Sequence, residues 1–375
     1  MSKYDSKAVR QEAFSKIDDY SNQFDLIRGI TSSLLYGDPQ IDSKPWLSLL
    51  IPTFNRAKLF REALESVLAQ EPVEYRWEIL VVDNTPFQEG RTSPALKVVQ
   101  DIGNLRVLYY HNSQNIGPGY NWNRGVELAR GEWICFLHDD DILCPDALKN
   151  IGRQINGFRG KRPLGYLHAR RIEFTQILQI PSSKSFPPER LTRFSFLISG
   201  CTGAGAPSCG TVILKQAFME TGGINYEFGL SADAVMCYQI MKDHAVICSD
   251  RILGGYRWSE NETLQLSSLL QMIQTDELLS MFSYQQSRFS RRWGQVFGAA
   301  SSWRNIQRKK HLAEKNGIVA QKEDFQKATL YSEPKKWKQI CFLAIYSLYR
   351  LFRFLDGWAF QLYQYVLNKY SKYDM

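Results

Sequence analysis

The chain lacks a paired-cysteine spacing, a long apolar run, a leader-like start and an internal repeat. Its seven cysteines are odd in number and scattered, with none in a C-x-x-C arrangement. Reduced thiols are therefore expected, with Cys135 inside an apolar strand where a buried thiol is ordinary. No stretch reaches the roughly 18 uninterrupted apolar residues that a membrane-spanning helix requires. The longest candidate, ICFLAIYSLYRLFRFL, is broken by Arg350 and Arg353. The first residues, MSKYDSKAVRQEAF, carry no apolar h-region, so a cytoplasmic protein is expected.

What is present suits one large domain with additions: 375 residues, of which 44% are hydrophobic, can bury a full-sized core. A net charge of +8 and a pI of about 9.0 favour anionic partners such as nucleotides, nucleic acid or acidic lipid headgroups. The excess is uneven, because residues 335–375 hold seven Lys and Arg against two Asp.

Residues 1–44 are polar and weakly periodic and run into the linker-like GDPQIDSKP, so they read as an N-terminal extension. The apolar runs LSLLI (47–51), EILVV (78–82), RVLYY (106–110) and WICFL (133–137) then follow, each bounded by polar or turn residues. Strands buried on both faces have this pattern. Between them, Leu59, Ala63, Leu64, Val67 and Leu68 share a helical face, and Trp122, Val126, Leu128 and Ala129 suggest a helix ending at Gly131. Strand and helix alternating in this way predict parallel α/β units. Right-handed crossovers place the strand C-termini along one edge, where open sheets bind ligands. The polar strand ends PTFNR (52–56), DNT (83–85) and HDDD (138–141) should share that crevice. Further strand is expected near Tyr166–Phe174 and helix over Ala232–Lys242 and most of 264–312, with GCTGAGAPSCGTV (200–212) as a flexible or close-approach loop.

Asp139, Asp140 and Asp141 are the least expected feature, since neighbouring carboxylates repel. At a strand end they suit a divalent cation with hard oxygen ligands, Mg²⁺ or Mn²⁺, which also bridges to phosphate oxygens. The competing reading is a solvated turn, with Asp146 entering the next helix as an N-terminal charge.

The segment from Trp46 to Asp146, with PWLSLLIPTFNRAKLFREALESVLAQ, WEILVVDNTP and NIGPGYNWNRGVELARGEWICFLHDDDILCPDAL in order, resembles the nucleotide-diphospho-sugar domain of family 2 glycosyltransferases of the GT-A fold. The resemblance implies a Rossmann-like, mostly parallel sheet flanked by helices, with a helical C-terminal extension. It implies that Pro52, Thr53, Asn55 and Arg56 line the nucleotide, that Asp83 meets the base, and that Asn115, Gly117 and Asn123 shape the pocket near the phosphates. Asp139 and Asp140 match the family's acidic pair, which contacts ribose and metal. His138 stands where many members have Asp, which leaves the metal set as Asp140 first, with Asp141 and His138. In GGINYEFGLSADAVMCYQIMK, Asp233 matches the second acid of an acceptor-side pair whose first position is Ala232; the resemblance makes Asp233 the general base, while by itself it reads as a helix-start charge near Ser231. Arg257, in GGYRWSENET, would offset charge on the departing nucleotide, and Trp258 could stack on a sugar.

Twelve aromatics mix with the bases of 335–375, the composition of a helix lying in an anionic headgroup layer, or of one packed on protein. The basic run from Arg288 to Lys310, with Phe289, Trp293 and Trp303, has no recognised nucleic-acid motif beside it, and no nucleic-acid partner is expected. Four regions result: 1–44, a catalytic domain over 45–262, a helical region over 263–332 and a basic aromatic tail over 333–375. The combined expectation is an inverting, metal-dependent transferase moving sugar from a UDP-sugar to a hydroxyl of a lipid-linked saccharide in O-antigen or capsule synthesis, peripheral on the inner face of the cytoplasmic membrane. A polyprenyl-phosphate sugar synthase and a catalytically silent nucleotide-sugar-binding protein are the alternatives.

Overall fold

The structure, a computed structural model, describes residues 7–18, 21–86, 92–175, 185–186, 189–191, 209–258, 265–285, 288–330, 336, 339–340 and 343–344. The strands are β1 (Ser32–Tyr36), β2 (Leu47–Thr53), β3 (Trp77–Asp83), β4 (Val107–Asn112), β5 (Trp133–Phe136), β6 (Ile142–Leu143), β7 (Leu164–Phe174), β8 (Glu189–Leu191), β9 (Thr211–Leu214) and β10 (Ala245–Arg257). The helices are α1 (Lys7–Asp18), α2 (Ala57–Leu68), α3 (Pro94–Ile102), α4 (Pro118–Leu128), α5 (Ala147–Asn156), α6 (Lys215–Glu220), α7 (Ala232–Ile240), α8 (Leu266–Gln285), α9 (Arg288–Lys315) and α10 (Lys322–Ala328).

One sheet takes the order β1-β4-β3-β2-β5-β9-β7-β10-β6, with β8 paired to β10. The block β4-β3-β2-β5 is parallel, as the four apolar runs predict. Strand β9 enters antiparallel between β5 and β7, and β7 and β10 pair parallel. Six strands thus share one direction, while β1, β6, β8 and β9 oppose them.

The unbroken apolar runs are explained by two cores, one on each face. Leu47, Leu49 and Ile51 point to α2, α3 and α5, whereas Leu50, Val82 and Phe136 point to α4, α6 and α7. Alternate residues of a strand face opposite ways, so a strand covered by helices on both sides must be apolar at every position. Helix α3 begins on Pro94 with Ser93 as N-cap and ends at Gly103 in the left-handed conformation, φ 70°.

The N-terminal segment differs from its expectation as an extension. Ala13, Phe14 and Ile17 of α1 are buried in the core, with Phe14 packed 5.7 Å from Phe282 of α8, and β1 pairs antiparallel with β4. Three buried apolar positions in α1 are too few for a strong periodic signal, and elements distant in sequence, α7 and α8, give them their partners. Beyond the sheet, Leu269 and Ile273 of α8, Ala313 of α9, and Phe325 and Ala328 of α10 form a separate small core. The tail expected to meet a membrane falls outside the described residues, isolated positions excepted, and so does most of the loop 200–212. No described helix is long and apolar enough to cross a membrane. The described cysteines, Cys135, Cys144, Cys209, Cys237 and Cys248, are buried thiols.

Candidate active site

The ends of β2, β3 and β5 open on a cleft of about 1120 Å³, whose wall includes Pro52, Thr53, Arg56, Asn84, Asp139 and Asp140. Parallel pairing of the three strands brings these ends together. Thr53 Oγ1 donates to Asp139 Oδ2 at 2.8 Å, and the Phe54 backbone N–H donates to the same oxygen at 3.3 Å. Arg56 Nη1 lies 2.9 Å from Asp140 Oδ2 and 3.6 Å from Asp139 Oδ1. Asn55 holds the turn with φ 54° and donates its N–H to Thr85 Oγ1 at 3.0 Å, which couples the β2 and β3 ends.

The acidic triplet divides its work. Asp139 and Asp140 face the cleft, while Asp141 is fully buried beneath it. Asp141 Oδ1 accepts from the Arg257 backbone N–H at 2.9 Å, and its Oδ2 accepts from Cys209 Sγ at 3.0 Å. His138 Nδ1 lies 3.3 Å from Asp141 Oδ2, with its ring edge-on to Trp122 at 4.9 Å. His138, Asp140 and Asp141 each bring one ligand atom within 4.8 Å of the others. Burial, then the charge of Asp140, pushes the Asp139 carboxyl up to about 6 against the pull of Arg56. Burial and Asp141 likewise raise Asp140. Burial lowers the His138 imidazole, but the hydrogen bond and charge of Asp141, with Asp140 and Asp139, outweigh it and leave the pKa raised. Crowded carboxylates that resist ionisation, next to an imidazole, are a donor set that a hard divalent cation would stabilise.

Several expected residues sit elsewhere than the sequence suggested. Asp83 is fully buried and turned from the cleft: it accepts from Thr85 N at 2.8 Å, from Ser93 Oγ at 2.6 Å and from the Tyr109 hydroxyl. Its neighbour Asn84 lines the cleft instead. Asn123, also fully buried, makes two bonds to one residue, donating to Ile224 O at 3.1 Å and accepting from Ile224 N at 2.8 Å. It therefore anchors the loop before Asp233. Arg257 is buried behind the acids, donating through Nε to Asp140 O at 2.7 Å, pairing with Glu62 and stacking over Phe174 at 4.7 Å. It braces the acidic loop from beneath, and that loop's geometry also needs Gly254, where a Cβ would come within 2.5 Å of Ile142 O. Asn115 and Gly117 do line the cleft, and Gly117 caps α4 at φ 80°, ψ 165°, a conformation that favours glycine.

An asparagine network was not anticipated. Asn84 Nδ2 donates to Asn115 Oδ1 at 2.6 Å, and Asn84 Oδ1 accepts from Ile116 N at 3.0 Å and Asn112 Nδ2 at 3.2 Å. Asn112 Nδ2 also reaches Asn121 Oδ1 at 2.8 Å, and Asn121 Nδ2 donates to Val82 O at 3.0 Å. The only sequence signal was the density of Asn just after β3 and β4, a residue suited to turning backbone at strand ends.

Across the cleft, Asp233 stands in the first turn of α7, with Oδ1 accepting from Ala234 N at 2.7 Å. Burial pushes its carboxyl up to about 6, with nearby Asp276 acting in the same direction. Asp276 of α8, missed in the sequence, also lines the cleft; it accepts from Asn305 Nδ2 at 3.0 Å and Ser231 Oγ at 3.3 Å. Trp258 and Tyr226 complete this side, and Trp258 Nε1 is buried with no hydrogen-bond partner among the described residues. The expected carboxylates Asp139, Asp140 and Asp233 thus meet at one cleft.

The family model of glycosyl transferase family 2 matches residues 48–204. The succinoglycan biosynthesis protein ExoO of Rhizobium meliloti is 26% identical over 219 residues, which are 58% of this chain and 59% of that protein. The GalNAc(5)-diNAcBac-PP-undecaprenol beta-1,3-glucosyltransferase of Campylobacter jejuni is 35% identical over 116 residues, 30% of this chain and 35% of that protein. The chain spans less than two thirds of either relative's length. The crystal structure of S. aureus TarS 1-349 in complex with UDP superposes with a TM-score of 0.51 at 16% identity, covering 76% of this chain and 81% of that one. Residues 48–204 thus match the model of glycosyl transferase family 2, and the chain has the mixed α/β architecture of the GT-A fold.

Proposed function

We propose that the protein is an inverting, metal-dependent glycosyltransferase that moves a sugar from a nucleotide-diphosphate donor, a UDP-sugar, to a hydroxyl of a lipid-linked saccharide in bacterial surface-polysaccharide synthesis. The observation that carries this reading is that Asp139 and Asp140 on the sheet edge and Asp233 on α7 open on one cleft large enough for donor and acceptor together. The related proteins from Rhizobium meliloti and Campylobacter jejuni, named for polysaccharide and undecaprenol-linked synthesis, support the choice of pathway and acceptor.

In this reading Thr53, Arg56, Asn84 and Asn115 hold the nucleotide against the sheet edge. Asp140, Asp141 and His138 would hold Mn²⁺ or Mg²⁺, whose charge, when bound, stabilises the departing diphosphate. Arg257 keeps the acidic loop in place from below. Asp233 accepts the proton of the acceptor hydroxyl as its oxygen attacks the anomeric carbon and the bond to the nucleotide diphosphate breaks. One in-line displacement inverts the anomeric centre. The unpartnered Trp258 N–H is available to a sugar hydroxyl while its ring offers a stacking face. Residues 333–375 hold the enzyme on the anionic inner face of the membrane.

A thermal-shift screen of nucleotide sugars tests the donor side, because a ligand that binds only the folded state raises its melting temperature. UDP-sugars with Mn²⁺ are expected to stabilise the protein and to lose that effect with EDTA. No shift with any nucleotide sugar would overturn the reading.

A further inference from the structure

Helix α9 closes the cleft opposite the sheet. Arg304, Arg308, His311 and Lys315 all line it, at relative positions 0, 4, 7 and 11 along the helix. That spacing sets them on one stripe about 16 Å long. The opposite face is packed: Ser302 and Ala313 are buried, and Ile306 rests on the small core of α8 and α10. Trp303, Asn305, Gln307 and Lys309 flank the stripe on the cleft side.

The charge of Arg308 acts on Asp276, but the transfer chemistry by itself does not call for a basic row running on to Lys315. The donor diphosphate is accounted for on the sheet wall, and a neutral saccharide has no use for a row of basic side chains. Leu312 and Leu343 add apolar surface to the same wall. Cations beside apolar side chains, across from the general base, suit an anion joined to a lipid chain.

We propose that the α9 stripe binds the diphosphate through which the acceptor saccharide is joined to its lipid, and so sets how far that saccharide reaches toward Asp233. The proposal rests on reading the cleft as a site of glycosyl transfer. Arg side chains recognise phosphate oxygens through paired N–H donors, and Lys adds a point charge.

The test uses the full chain, inorganic pyrophosphate and EDTA, so that no metal bridges phosphate to the sheet wall. Calorimetry is expected to show pyrophosphate binding that Arg304→Gln with Lys315→Gln weakens about tenfold, the loss of two solvent-screened charge contacts. Lys315→Gln alone, at the exposed end of the helix, provides a milder variant should the double one fold poorly; a partial loss is expected. Pyrophosphate binding equal to wild type in every α9 variant would overturn the proposal. So would a double variant that loses sedimentation with phosphatidylglycerol vesicles yet keeps pyrophosphate, which would assign the stripe to the membrane surface. Binding of UDP with Mn²⁺, measured in parallel, separates the two ideas. If wild type binds pyrophosphate through α9 but never UDP with Mn²⁺, the transfer reading fails and the anion site stands.

Discussion

The two walls of the cleft are assembled by different rules. The sheet wall takes its groups from strand ends: Pro52 to Arg56 at the end of β2, Asn84 after β3, and His138 to Asp140 just past β5. The helix wall collects Tyr226, Asp233, Asp276 and Arg304 from separate elements in the second half of the chain. On the first wall, parallel pairing does the gathering, because any polar residue just past a strand must arrive at the same edge. On the second, no topological rule operates, and each group's place depends on how α7, α8 and α9 pack. A wall built on strand ends can therefore be read from short motifs, whereas a wall built on helix faces is a product of tertiary packing.

The largest expected effect breaks the sheet wall. Asp140→Asn should lower transfer by about 10³-fold or more and abolish Mn²⁺-dependent nucleotide binding, since it removes a ligand and a charge where the diphosphate departs. Radiolabelled transfer and calorimetry with UDP and Mn²⁺ check both; metal-dependent binding retained in the variant would mean that this wall is not the donor side.

Asp233→Asn breaks the other wall alone. Transfer should fall about 10²- to 10⁴-fold through loss of the general base, with donor affinity unchanged. A phosphate acceptor needs no such base, so near-normal transfer by this variant would favour polyprenyl-phosphate sugar synthesis. The pH profile sharpens the assignment. A base must be ionised to act, and the Asp233 carboxyl lies up at about 6, so transfer should be full above that pH and fall as pH drops through it. Asp139 also lies at about 6, on the sheet wall. The residual activity of Asp233→Asn should therefore lose the acid limb if Asp233 causes it and keep the limb if Asp139 does.

Two smaller effects concern residues that hold the walls. Asn123→Ala removes both bonds to the Ile224 backbone and should cost about 1–3 kcal/mol in urea unfolding. Because the loop it anchors precedes Asp233, the acceptor KM should rise while donor affinity stays constant. Asp83→Asn disturbs a carboxylate that accepts from Thr85, Ser93 and Tyr109. It should cost about 1–2 kcal/mol of stability without altering preference among nucleotide bases. A changed base preference would restore Asp83 to the nucleotide.

Much of the sheet wall was legible. The four apolar runs became β2 to β5, and the acids after β5 face the cleft, because burial on both faces imposes an unmistakable composition on a strand. The roles of Asp83, Asn123 and Arg257 were not legible, because a polar residue near a strand end or in a loop has the same appearance whether it turns inward or toward a ligand. Their direction is set by partners remote in sequence: Tyr109 for Asp83, Ile224 for Asn123 and Glu62 for Arg257.

By itself the sequence determined the parallel block, the edge at which its polar ends meet and the acidic character of that edge, since these follow from side-chain periodicity and crossover handedness. Tertiary structure alone decided that α1 and β1 join the core, that Asp276 stands beside Asp233, and that one stripe of α9 faces the cleft. The physical reason is that helix faces carry no pairing rule like a strand's hydrogen-bond ladder, so which residues they present is known only once their packing partners are in place.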